Sequence, residues 1–396
     1  MTAPRLYYLD DIPTPYRLGV QRRIARAWPG AFKIAYCAGS EPGREWTHDF
    51  EGLDTEVLPG RQFRPSRQVN PFSFKFNPAV LSSLKAFRPD VVVLSGYVHP
   101  TVHLAAHWCR RNGAAYGIAS ESSAANSSSS GLRYEAKRLI AGPLVRGMSF
   151  GLPVGMRAAD YLRRLGPTDA PMFLFPNTPD TSLVAAQAER MAQPGAREAL
   201  LAELGIPAGA PIILFVGRMI DAKRPLDLLQ AFQRLGGAGA DAVVVFVGDG
   251  PLTGELKDAA AGDQRVIFTG WLSSPAQVAA LMAVSTVMVL PSQHETWGAV
   301  VNEAMAAGTP VIASDRVGSA VELIESGVNG VIFSVGEVDE LARAIGALLA
   351  DEAARVRMGE AALVTALSRG EAFATSNFLA AVQHGLEHKA RKPTVG

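Results

Sequence analysis

Two glutamates eight positions apart, Glu295 and Glu303, frame the stretch His294-Glu295-Thr296-Trp297-Gly298-Ala299-Val300-Val301-Asn302-Glu303. The spacing predicts a loop carrying Glu295, a helix opening near Gly298, a glycine stop at Gly308 and a buried strand from Thr309. The first N–H groups of a helix have no carbonyl partner within it and can receive an anion, while carboxylates accept hydrogen bonds from hydroxyls. A ligand carrying sugar hydroxyls next to phosphate suits that arrangement. Upstream, Arg218 and Lys223 follow Gly217. They offer a planar fork and a mobile point charge, a paired clamp for a diphosphate. Such a clamp matters chemically where a leaving diphosphate gathers negative charge. The plainer readings are an exposed basic loop for Arg218 and Lys223, a carboxylate complementing the helix dipole for Glu295, and a polar helix residue for Glu303.

Apolar runs alternate with helical patterns along the chain, the signal for parallel sheets covered by helices. In the first half, Leu6 to Leu9, Phe32 to Tyr36, Val91 to Leu94 and Ala115 to Ile118 read as buried strands, with helices over Tyr16 to Trp28, Pro78 to Phe87 and Thr101 to Asn112. Ala119 to Gly131, with Ser127-Ser128-Ser129-Ser130, reads as a loop. Met148 to Leu152 returns as a strand, followed by a helix over Met156 to Gly166. Pro176-Asn177-Thr178-Pro179-Asp180 marks the end of a first domain by its turn chemistry. A helical connector, Ala196 to Leu204, leads to strands Pro211 to Val216, Ala242 to Val247, Arg265 to Thr269, Thr286 to Leu290, Thr309 to Ala313 and Gly330 to Phe333. Helices begin near Pro225, Pro251, Ser274, Gly298, Ser319 and Val338.

Open parallel sheets bind ligands beyond the carboxyl ends of their strands. That rule gathers Gly217-Arg218, Gly248 to Gly250, Gly270-Trp271 and His294-Glu295 at one edge of the second sheet. The run Gly248-Asp249-Gly250-Pro251-Leu252-Thr253-Gly254 also mimics a dinucleotide-binding turn, but its spacing is Gly-x-Gly-x3-Gly and no acidic residue closes the next strand.

The Glu295 to Ala313 block resembles the signature of the retaining glycosyltransferases of family 4, which have the GT-B architecture. Phe215-Val216-Gly217-Arg218-Met219-Ile220-Asp221-Ala222-Lys223-Arg224-Pro225 is similar to that family's Gly-Arg-x4-Lys segment. Phe246 to Pro251, Val266 to Trp271, Gly308 to Val311 and Gly327 to Gly330 follow in the expected order. Together they span roughly residues 211 to 333. The resemblance implies an α/β protein of two Rossmann-like domains facing each other across a cleft. Residues 1–180 would form the acceptor-binding domain, 181–370 the nucleotide-sugar-binding domain, and 371–396 a C-terminal helix packing back on the first, with the helices from Glu352 onward crossing both.

By the same resemblance Glu303 accepts ribose hydroxyls and Glu295 holds hydroxyls of the donor sugar. Trp297, Gly298, Ala299 and Val300 supply backbone N–H groups, with core packing an open alternative for the Trp297 side chain. The backbone around Gly270, Trp271 and Leu272 would contact the base, and Gly217 and Gly248 would let backbone approach the nucleotide. The first half departs from the pattern. Where many members carry a double glycine, this chain has Asp10-Asp11-Ile12-Pro13-Thr14-Pro15-Tyr16-Arg17, and Arg17 can assist the phosphate or an anionic acceptor. Glu121 falls where many relatives place a histidine, as a ligand for a sugar hydroxyl or an amine-bearing acceptor, or as a plain loop carboxylate. His99 is a second polar candidate, with a structural role at a helix entry the alternative.

Length and composition fit. At 396 residues the chain exceeds one ordinary core. Its 48% hydrophobic and 19% charged content argues for a folded, soluble protein. A formal charge of +1 gives no global reason for nucleic-acid binding. Local clusters, Arg61, Arg64, Arg67 and Arg133, Lys137, Arg138, can meet an anionic membrane or a lipid-phosphate acceptor, or form solvated basic faces. The two cysteines, Cys37 and Cys109, suit a reducing cytoplasm. The start does not read as a signal peptide, and no segment approaches the ~18 uncharged apolar residues of a membrane span. Any membrane contact would be peripheral, at the inner face.

The expectation is a cytoplasmic, retaining hexosyltransferase moving a sugar from a UDP- or GDP-type donor to a glycan, lipid-linked or small-molecule hydroxyl, in cell-surface polysaccharide or glycoconjugate biosynthesis. No Asp-x-Asp motif appears, so neither a metal nor a cofactor beyond the nucleotide-sugar donor is expected. A nucleotide-sugar epimerase or hydrolase, and a non-catalytic nucleotide-sugar sensor, are the alternatives on the same frame.

Overall fold

The computed structural model describes residues 3–40, 49–63, 74–124 and 130–391. Arg64 and Arg67 of the first basic cluster and Ser127, Ser128 and Ser129 of the serine run lie outside them. The chain divides into two units, Met1–Asn177 with Glu371–Gly396, and Thr178–Gly370.

The first unit is a six-stranded sheet in the order β3-β2-β1-β6-β7-β8, parallel throughout. Its strands are β1 (Leu6–Asp10), β2 (Phe32–Tyr36), β3 (Asp54–Val57), β6 (Val91–Ser95), β7 (Ala115–Ser120) and β8 (Phe150–Pro153). A separate antiparallel pair, β4 (Arg61–Phe63) and β5 (Phe74–Phe76), precedes helix α2 (Val80–Phe87). Leu6 to Leu9 and Val91 to Leu94 are fully buried, as strands covered on both faces must be. Helix α1 (Pro15–Ala27) and helix α3 (Pro100–Asn112) each open on a proline, which is preset for the first helical turn. On one face α2, α3, α4 (Gly131–Arg146) and α5 (Met156–Leu165) bury Leu84, Ala105, Leu144 and Leu162. On the other, α1 meets the terminal helix α15 (Glu371–Arg391), whose Ala374, Phe378, Ala381 and Val382 pack with Leu6, Tyr8 and Phe175. Asn377 donates to the Leu174 carbonyl at 2.9 Å, and Arg23 pairs with Glu371 at 2.7 Å, which fixes α15 in place.

The second unit begins with α6 (Thr181–Met191) and α7 (Ala196–Glu203) and repeats the plan. Its parallel sheet runs β11-β10-β9-β12-β13-β14, made of β9 (Ile212–Val216), β10 (Val243–Val247), β11 (Val266–Gly270), β12 (Val287–Leu290), β13 (Val311–Ser314) and β14 (Val331–Phe333). Helices α8 (Pro225–Gln233), α9 (Thr253–Ala260), α10 (Pro275–Val284), α11 (Ala299–Ala306), α12 (Gly318–Leu323), α13 (Val338–Ala350) and α14 (Glu352–Ser368) connect and cover it. In both sheets the order reverses after the first strand, between β1 and β6 and between β9 and β12. Those reversals are the topological switch points where such sheets expose a ligand crevice.

The structure corrects several expected boundaries. Strand β7 continues to Ser120, shortening the expected loop after Ile118, and β8 starts at Phe150 because Met148 closes a turn onto the Val145 carbonyl. Helix α9 opens at Thr253, two residues past Pro251, after a turn in which Leu252 N–H donates to the Met219 carbonyl. Helices α4 and α6 and the edge strand β3 occur where no element was expected. Of the last two helices, α14 lies in the second unit and α15 in the first.

Candidate functional site

In the second unit, four loops leave the carboxyl ends of β9, β10, β11 and β12 and are tied to one another through the backbone. Gly217 N–H donates to Val247, Met219 N–H to Asp249, Gly248 N–H to Gly270 and Gln293 N–H to Ala222, at 2.8–3.0 Å. Gly248 has a steric reason of its own: at φ 121°, a Cβ there would lie 2.1 Å from the Gly217 carbonyl oxygen. Its smallness therefore lets two loops stack, whatever else it admits.

The loops bring Arg218, Lys223 and Glu295 together. Lys223, ending a short 3₁₀ turn, forms an ion pair with Glu295, and both side chains are largely buried. Burial and then the nearby Arg218 pull the Lys223 ammonium down to about 8. Arg218 is exposed. The Glu295 chain passes over Gly298, the residue preceding α11, whose φ of 89° is open to glycine; a Cβ there would meet Glu295 Cγ at 3.0 Å. The same loop is pinned to α12: Ser319 N–H donates to the Trp297 carbonyl at 2.7 Å, and Ser319 Oγ to that of Gly298 at 2.9 Å.

Ala299 and Val300 open α11, where N–H groups precede the helix's own acceptors. The Trp297 side chain is a core residue, so its contribution to a ligand is confined to its backbone. Glu303, half-buried on α11, has its carboxyl pushed up to about 7 by burial. Trp271 is 69% exposed and Leu272 half-buried, just past β11 and Gly270.

The first unit holds its own polar pocket, of about 260 Å³, at the β1/β6 switch point. Asp10, Asp11, Arg17, Ser95, His99 and Glu121 line it. Arg17 is buried beneath it, its guanidinium 3.0 Å from Glu121 and 4.8 Å over the Phe175 ring. Asn177 Nδ2 donates to the same Glu121 oxygen at 2.9 Å. The two expected residues Arg17 and Glu121 are thus partners of each other, and His99 sits in the same pocket.

His99 Nδ1 accepts the Lys75 N–H at 3.2 Å, which places the ring proton on Nε2, 3.1 Å from Asp11 Oδ1. The Lys75 ammonium, fully buried, reaches that oxygen at 2.7 Å. Burial alone would raise the Asp11 carboxyl; the His99 and Lys75 contacts outweigh it and hold Asp11 below its ordinary value. Beside it, burial raises Asp10 despite Arg17 and the 2.6 Å bond from Ser95 Oγ.

Asp10, Asp11, Ser95 and Lys75 were not among the expected site residues. The adjacent acids at the end of β1, a strand terminus beside a switch point, were the available signal; Lys75 offered none. Among the described residues no three His, Cys, Asp or Glu side chains converge as metal ligands.

Residues 196–364 match the family model for glycosyl transferases group 1. A 2-deoxystreptamine glucosyltransferase of Streptomyces kanamyceticus is 36% identical over 166 residues, 41% of this chain and 42% of that protein. A 2-deoxystreptamine N-acetyl-D-glucosaminyltransferase of Streptomyces fradiae is 36% identical over 200 residues, 49% of this chain and 46% of that protein. The chain therefore spans less than half the length of these relatives. The crystal structure of Anabaena Alr3699/HepE in complex with UDP superposes with a TM-score of 0.74 over 96% of this chain and 99% of that one, at 18% identity. A glycosyltransferase from Rickettsia africae ESF-5 gives 0.75 over 97% and 99%, at 16%. Fold and matches define the class, an α/β protein of the GT-B fold with two Rossmann-like units. Its second unit carries the glycosyl transferases group 1 segment.

Proposed function

We propose that the protein is a retaining, metal-independent glycosyltransferase of family 4, moving a hexose from a nucleoside-diphosphate sugar to an acceptor hydroxyl in polysaccharide or glycoconjugate biosynthesis. The observation that carries this reading is the Arg218, Lys223 and Glu295 cluster placed beside the opening of α11. Arg218 and Lys223 bind the diphosphate and stabilise the charge it gathers as the anomeric bond breaks. Glu295 takes donor sugar hydroxyls and Glu303 the ribose. The departing phosphate oxygen accepts the acceptor's proton on the face it leaves, so catalysis rests on positioning and charge stabilisation. UDP-sugars are the first donors to try, since Alr3699/HepE was crystallised with UDP and with UDP-glucose; GDP-sugars come second. The pocket of the first unit, with Glu121 and Asp11, serves the acceptor.

A thermal-shift screen of UDP, GDP and their sugars reads donor binding, because a ligand of the folded state raises the melting temperature. Acceptor-dependent release of nucleoside diphosphate, followed by NMR of the product linkage, then tests turnover. A donor consumed equally without acceptor would identify a hydrolase or epimerase instead. An inverted linkage would exclude the retaining mechanism.

A further inference from the structure

Helix α4 carries an apolar ridge on the side turned away from the core it packs against. Its Tyr134, Ala141, Leu144 and Val145 are buried in the first unit. On the opposite side Leu132 is 91% exposed, Leu139 78% and Ile140 63%. Ala136 and Pro143, also exposed, fall between them. Positions 132, 136, 139, 140 and 143 follow the helical period, so these side chains make one continuous stripe. A face meant only for water would carry charge there.

The borders of the stripe are cationic. Helical spacing puts Arg133 on one side and Arg146 on the other, with Glu135 next to Arg146 and Arg138 beyond it, turned away from the stripe, all exposed. Glu135 is the only acid of the helix, and it lies 3.2 Å from Arg138. Lys137 is turned inward, its ammonium 3.3 Å from the Tyr161 hydroxyl.

We propose that α4 docks the protein on an anionic phospholipid bilayer, lying in the plane of the interface. Leu132, Leu139 and Ile140 enter the acyl boundary, and Arg133 and Arg146 meet headgroup phosphates. The charge selects this occupant: an apolar stripe alone would fit many partners, but one framed by arginine matches a negative headgroup layer. Among the described residues no helix is long and apolar enough to cross a membrane, so this attachment is confined to the surface. Each arginine near an anionic surface strengthens binding roughly fivefold, and each large apolar side chain buried there by about tenfold.

The test is co-sedimentation of the full chain with vesicles of phosphatidylcholine alone and of phosphatidylcholine mixed with phosphatidylglycerol. The protein is expected to pellet with the mixed vesicles and to be released by salt. The triple variant Leu132→Ser, Leu139→Ser, Ile140→Ser should bind at least about a hundredfold more weakly, and Arg133→Gln with Arg146→Gln should lose the preference for anionic lipid. Wild-type protein left in the supernatant, or serine variants that bind like wild type, would overturn the proposal. So would a lipid-free dimer, seen by sedimentation equilibrium, that the serine changes dissolve; the ridge would then belong to a second copy. A nitroxide on Leu139→Cys, with Cys37 and Cys109 buried, gives an independent reading. Relaxation by lipid-soluble oxygen is expected; relaxation by an aqueous reagent in the presence of anionic vesicles refutes insertion.

Discussion

Glu303 gives the second unit a stability that depends on pH, and Glu303→Gln isolates it. The side chain sits on α11 with its carboxyl raised from an ordinary 4.5 to about 7, and burial is the cause. A raised acid means that the folded state binds a proton more tightly than the unfolded one. The contribution is therefore fully present below pH 4.5 and is lost as pH rises through about 7. At about 1.4 kcal/mol per pH unit, the loss amounts to roughly 3 kcal/mol by pH 8. That is an upper bound, because Glu303 is half-buried and water reaches part of it.

Glutamine keeps the shape and cannot ionise. Wild type and variant should thus melt together near pH 4.5, and the variant should gain on wild type as pH rises. A unit of this size shifts by roughly 2–4 °C per kcal/mol, so the gap at pH 8 should reach several degrees. Differential scanning calorimetry at matched pH values reads it, and comparison at each pH cancels the titration of every other group. A gap that is constant from pH 4.5 to pH 8, or that grows toward acid, would refute the burial argument.

Lys223→Met strands the largely buried Glu295 carboxylate and should cost about 3 kcal/mol in urea unfolding, while Lys223→Met with Glu295→Met recovers most of that. Neither variant should regain nucleotide-dependent turnover, which is expected to fall by about a hundredfold or more. In the first unit, Lys75→Met takes the buried ammonium from Asp11, leaving His99 beside it, and should destabilise by about 3 kcal/mol, with Asp11→Asn restoring part of the loss. Gly248→Ala puts a Cβ 2.1 Å from the Gly217 carbonyl at a φ of 121°, so it should cost about 2 kcal/mol or more and weaken nucleotide binding by displacing the Arg218 loop. Calorimetry that found this variant as stable as wild type would remove the loop-stacking argument.

What the sequence made legible follows from how each element earns its place. Strands β6, β9 and β10 are covered on both faces, so their leucine, isoleucine and valine runs stood out, and the glycines after them marked the loops. The edge strand β3, Asp-Thr-Glu-Val, has no such run because solvent bounds it. Helix α4 escaped because it is apolar on two opposite faces, which blurs the period that a one-sided helix displays, and Pro143 lies inside it. In the site, Arg218 and Lys223 share one short motif and Glu295 and Glu303 another, and their types announce their chemistry. Lys75 is different. Between two phenylalanines it reads as an ordinary charged position, and the ion pair with Asp11, itself held by His99, helps make its full burial tolerable.

The same logic explains why the cluster in the second unit is held as firmly as it is. Arg218 and Lys223 repel, and burial of Lys223 adds to the cost of its charge. Left to themselves they would swing apart into water, since long cationic side chains lose rotamer freedom when fixed. Glu295 offsets one of the two charges and Gly298 gives its chain room to do so, while the backbone bonds from Met219, Gly248 and Gln293 stop the loops from opening. Among the described residues no acid pairs with the exposed Arg218, so its charge adds to that of Lys223. On the proposed reading, a diphosphate would bring two or more negative charges to that cluster, and its binding would relieve a repulsion already built into the fold instead of requiring a rearrangement to create the site.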